Sequence, residues 1–91
     1  MPAYLVEAYA AGLTPDGLRV MSVRAARTAE AMSERGVPVL HLQAFYLPDD
    51  EMRLHLVEAP SVEAVSRLIH RTGLSHDRIV EAVMSAGLRI R

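Results

Sequence analysis

Residues 37–58 read VPVLHLQAFYLPDDEMRLHLVE, and this stretch decides the fold. Through the middle of Val37–Leu47 apolar and polar side chains alternate, the period-two pattern of a strand with one buried face. Pro38 stands near the start, where a missing amide harms a ladder least. Pro48-Asp49-Asp50-Glu51 is a run of turn formers, and Met52 to Glu58 then alternates again, so the stretch reads as a β-hairpin.

On the upstream side, Gly36 marks a helix end. The helix it closes begins at Leu13-Thr14-Pro15-Asp16: Thr14 caps free amides, Pro15 suits the first helical position and Asp16 complements the positive end. Leu18, Met21, Ala25, Ala29 and Met32 recur at helical spacing between these signals. Before them, Ala3 to Ala10 (AYLVEAYA) is a short strand ended by Ala11-Gly12. Downstream, Pro60-Ser61 opens a second helix with an apolar face of Val62, Val65, Leu68 and Ile69, and Gly73 ends it. Asp77-Arg78 leads into a last strand, Ile79 to Met84, and Ser85 to Arg91 is a tail. The order strand, helix, strand, strand, helix, strand over residues 1–91 predicts one α+β domain of the ferredoxin-like β-α-β-β-α-β type. Right-handed crossovers put both helices on one face of a four-stranded antiparallel sheet, in strand order 4-1-3-2, and leave the other face open.

Alternation assigns Tyr4, Val6, Ala8, Leu40, Leu42, Ala44, Leu54, Leu56, Val80, Ala82 and Met84 to the helix side. The open side then receives Leu5, Glu7, Tyr9, His41, Gln43, Phe45, Arg53, His55, Val57, Ile79, Glu81 and Val83. That mixture suits burial against a second subunit around a polar interior, so a homodimer forming a dimeric α+β barrel is expected. A continuous polar band needs an odd hairpin loop or a bulge, because a two-residue loop at Asp49-Asp50 pairs Ala44 with His55.

Two chemistries fit such a band. Neutral imidazole nitrogen and carboxylate oxygen from His41, His55 and Glu7 suit a divalent transition metal such as nickel or zinc. Alternatively, Glu7 and Glu81 perturb each other, one serves as general base with His55 as acid or orienter, and Tyr9, Gln43, Phe45 and Arg53 hold a small-molecule substrate. A third class is a protein-interaction module whose polar groups only bond one another. His70 falls opposite the apolar stripe of its helix and reads as an ordinary exposed residue, and His76, in a loop before Asp77, reads as a turn or capping residue that edges a pocket only if the loop folds over the sheet.

Composition narrows the partners. Ten Arg, no Lys and eleven acidic residues give a net charge of -1, with the Arg residues spread from Arg19 to Arg91; the concentrated basic face of a nucleic-acid binder is missing. The absence of Cys excludes disulfides, thiolate metal sites and cysteine nucleophiles. With no apolar run approaching about 18 residues and no basic leader, a soluble cytoplasmic protein that avoids membranes is expected. No Gly-rich phosphate loop, metalloprotease helix or nucleophile elbow occurs.

The chain resembles a small bacterial family of unknown function often labelled nickel-binding-protein-like. The resemblance rests on Tyr4-Leu5-Val6-Glu7, Leu47-Pro48-Asp49-Asp50-Glu51, Val57-Glu58-Ala59-Pro60-Ser61 and the segment from Thr72-Gly73-Leu74 through Asp77-Arg78-Ile79-Val80-Glu81-Ala82-Val83. It implies a ferredoxin-like dimer, with nickel bound in one branch. That branch carries histidine in its first strand, where this chain has Glu7-Ala8-Tyr9, and relatives often have Cys at the position of His55. The resemblance therefore implies the fold and the dimer, and transfers no nickel site residue by residue.

Overall fold

The computed structural model describes residues 1–85. Its elements are β1 (Ala3–Tyr9), α1 (Pro15–Glu34), β2 (Leu40–Leu47), β3 (Met52–Glu58), α2 (Val62–Thr72) and β4 (Arg78–Ala82). The four strands form one antiparallel sheet in the order β2-β3-β1-β4. This is the expected ferredoxin-like α+β fold. β2 starts three residues later than expected and β4 is shorter, while the tail from residue 86 on lies outside the described residues.

Local chemistry sets the helix ends. Thr14 accepts a hydrogen bond from the Gly17 amide at 3.0 Å and Pro15 occupies the first turn. Ser61 caps α2 by accepting from the Ala64 amide at 3.3 Å. Gly73 closes α2 in the left-handed region, φ 75°, with its amide bonded to the carbonyls of Ile69 and His70. A Cβ at Gly73 would meet no atom within 4 Å, so only backbone strain opposes a side chain there. Gly73→Ala is expected to lower stability by about 1 kcal/mol, or the melting point by about 4–8 °C, in a thermal melt.

The core lies between the sheet and the helices. Val6 of β1, Val57 of β3 and Ala59 just after β3 meet Ala29 and Met32 of α1 and Val65, Leu68 and Ile69 of α2, all 4% exposed or less. The periodicity of both helices carries through, except that Val62 is 42% exposed and Ala64 takes its place inside. Principal extents of 41 × 36 × 21 Å describe a slab about two layers thick. The sheet face away from the helices has no protein layer over it among the described residues.

Candidate functional site

Directly opposed residues of an antiparallel pair share a face, so the register assigns the open side. Leu5 lies between Leu56 and Val80, and Glu7 between Leu54 and Arg78. Gln43 pairs with Leu56, Phe45 with Leu54, and Tyr9 and Leu47 both with Met52. The open face is therefore far more apolar than expected. Its central polar feature is an ion pair in which the Arg78 Nη2 and Nε donate to Glu7 Oε2 at 3.0 and 3.2 Å. The Glu7 side chain is 17% exposed and Arg78 67%, so the carboxylate is embedded among leucines while the guanidinium reaches out. At the rim, the Tyr9 hydroxyl donates to Glu51 at 2.5 Å; that bond and the Glu51 charge push the phenol's pKa up.

Six of the expected members of this face, His41, Arg53, His55, Val57, Ile79 and Glu81, lie on its other side. In β3 the helix-facing residues are Arg53, His55 and Val57, not Leu54 and Leu56. Val57 and Ala59, both 0% exposed, pack at the start of α2 and fix the phase of the strand; strict alternation then carries His55 and Arg53 inside. The hairpin spans a four-residue turn between Leu47 and Met52, which pairs Ala44 with His55. A bulge between His41 and Gln43 shifts the register, so that His41 pairs with Val57 on the helix side while Gln43 stays on the open side. In β4, Ile79 packs against the core opposite Val6; this brings Glu81 opposite Tyr4 and sends Arg78 and Val80 outward. Glu81 and Glu7 are thus on opposite faces and do not form a carboxylate pair.

Inside, the displaced residues make a row of their own. His41 Nε2 and His55 Nδ1 are 2.8 Å apart with ring planes at 58°, a hydrogen bond that one shared proton satisfies in either direction. His55 is 2% exposed. Burial, then the neighbouring His41 and Arg53, lower its pKa to about 4, and burial lowers that of His41. The pair is neutral at pH 7. His55 Nε2 has no partner among the described residues, and the two rings border a cavity of about 10 Å³ lined otherwise by apolar side chains such as Val6, Val57 and Leu68. That is about the space of one water molecule. Arg53, 3% exposed, donates to the Ser75 carbonyl at 2.5 Å and to the Met21 sulfur at 3.3 Å, and its Nε is unpartnered among the described residues.

This geometry does not fit a resident divalent metal. His41 and His55 come together, but Glu7 faces the opposite side of the sheet, and no group of three or more His, Asp or Glu able to hold a metal occurs among the described residues. The positive charge of Arg53 beside His55 opposes a cation further. What sequence reasoning overlooked was Arg78, the partner of Glu7; its adjacency to the Ile79 strand was the available signal, since a residue one step before an inward Ile points outward. No helix of the described residues is long and apolar enough to cross a membrane.

Among solved structures the chain is similar to SCO4226 from Streptomyces coelicolor A3(2), with 29% sequence identity over 92% of this chain and 99% of that one and a TM-score of 0.69. Comparisons with family models and with curated proteins find no match.

Proposed function

We propose that the chain is a homodimeric binding protein in which two open sheet faces pack together and enclose a small, largely apolar molecule. The observation that carries this reading is the uncovered face itself: Leu5, Leu54, Leu56, Phe45 and Val80 surround a Glu7 already neutralised by Arg78. A contiguous apolar face of this kind marks an interaction surface. Because the ion pair leaves its centre without net charge, two copies meet across a two-fold axis without like-charge repulsion. Glu7 and Arg78 supply a polar anchor for the ligand, and Tyr9, Gln43 and Phe45 stand at positions on the same face to contact it. Acid–base catalysis by Glu7 with His55 gains no support, since the sheet separates them.

Native mass spectrometry of untagged protein tests the proposal in one spectrum. The expected result is a dimer that retains organic mass. A monomer at micromolar concentration would overturn the reading, whereas an empty dimer would keep the interface and remove a tightly held ligand.

A further inference from the structure

Strand β2 is fixed near its two ends and tied at one point between them. It stands at the end of the strand order with β3 as its neighbour, and none of its eight residues is buried. Just before it, Val39 is 1% exposed, and the Ser33 hydroxyl both accepts from the Val39 amide at 3.1 Å and donates to its carbonyl at 2.9 Å. Toward the far end, the Tyr46 hydroxyl donates to the Ala10 carbonyl at 2.6 Å. Between these anchors the one side-chain hydrogen bond among the described residues joins His41 Nε2 to His55 Nδ1 at 2.8 Å. It falls where the bulge between His41 and Gln43 interrupts the ladder to β3.

That bond suits neutral rings. A first added proton leaves it intact, with the protonated ring as donor, whereas a second places an N–H on both facing atoms and the bond is lost. The surroundings supply no counter-charge. Val6 of β1, Ala25 of α1, Leu68 and Ile69 of α2 and Leu74 after α2 are apolar, and the charged side chain that acts on His55 is Arg53, itself positive, with Asp77 acting in turn on Arg53. Burial alone opposes charge on His41. Because His41 is half-buried on an edge strand, a short movement takes its ring to water, whereas His55, 2% exposed on β3, stays in the interior.

The geometry points to an acid-operated gate: with both rings protonated, residues 40–44 bow away from β3 between the Val39 and Tyr46 anchors, His41 turns out to solvent, and the cavity beside His55 opens to water. The opening is local, because the anchors are hydroxyl-to-backbone bonds that acid leaves untouched. It is steep in pH, because the open segment holds two protons that the closed one excludes. The inference does not rest on the sheet-face dimer, since His41 points to the helix side.

Amide exchange of the full chain, followed by NMR between pH 7 and pH 4 with each rate divided by its intrinsic value, gives the opening constant of each residue. Returning the His55 pKa from about 4 to its ordinary 6.5 is worth about a hundredfold over this range. The opening constants of residues 40–44 are expected to rise by about that factor, and to do so at higher pH than those of the central strand β1. In His41→Gln the rise should shrink to less than about tenfold, because an amide bonds to His55 in either protonation state and takes up no charge. Residues 40–44 opening in step with β1 at every pH, no rise at all, or an undiminished rise in His41→Gln would each overturn the gate.

Discussion

Lowering the pH from 7 to 4 is expected to remove about 3 kcal/mol of stability through His55 alone, a large share of the roughly 5–15 kcal/mol that holds a domain together. The imidazole is neutral inside, with its pKa lowered from 6.5 to about 4 by burial, by His41 and by Arg53. The unfolded chain takes up the proton near pH 6.5, whereas the folded chain resists until about pH 4. Stability from this group is therefore complete above pH 6.5, declines across the interval and levels off below it. His41, also lowered by burial, adds in the same direction. Urea denaturation at a series of pH values reads the slope. Comparison with His55→Leu separates it from the carboxylates: the variant replaces a ring with an unpartnered nitrogen by an apolar side chain in an apolar setting, and its stability should fall much less over the same range. Parallel pH profiles for the two proteins would remove His55 as the origin.

Leu56→Arg is expected to convert the proposed dimer to folded monomers. Leu56 sits at the middle of the open face, opposite Leu5 on one side and Gln43 on the other. It is only half-buried in the single chain, so an arginine there can lay its stem along the sheet and keep its head in water. Packed against a second copy, the same head is stripped of water near its own symmetry mate. An unpaired buried charge costs about 3–5 kcal/mol, which weakens association by more than a hundredfold. Sedimentation velocity over a concentration series, with circular dichroism as the check on folding, measures the effect. Ser66→Arg, on the exposed side of α2, should leave the mass unchanged. A Leu56→Arg protein that keeps a dimer's mass would sink the face-to-face arrangement.

The helices and their limits were legible because their signals are local. Thr14, Ser61 and Gly73 act on amides and carbonyls within four residues of themselves, so sequence neighbours are enough to recognise them. Strand order was legible for the same kind of reason, through the succession of elements and the handedness of crossovers. The phase of β3 and β4 was not. In β3 the apolar set Met52, Leu54 and Leu56 outnumbers Val57 and suggests the wrong buried face; the choice is made by neighbours distant in sequence, Val6 and Tyr4 of β1 and the start of α2. Three similar tetrapeptides, Leu5-Val6-Glu7-Ala8, Leu56-Val57-Glu58-Ala59 and Ile79-Val80-Glu81-Ala82, show the same limit. The first two send valine inward, but in the third the valine points out and the isoleucine in, so similar words occupy opposite phases. The two histidines are expected together, but on the open face, and the structure brings them together on the helix side instead. His55 comes inside with the phase of β3 and His41 with the bulge, and alternation alone foretells neither.

The bulge also divides β2 into two reading frames. Before it, Leu40 faces out and His41 in; after it, Gln43, Phe45 and Leu47 face out while Ala44 and Tyr46 face in. An odd-numbered residue is thus interior on one side of Leu42 and surface on the other. Anyone engineering this strand by changing every second residue would, on crossing Leu42, pass from decorating the outside of the molecule to cutting into its interior.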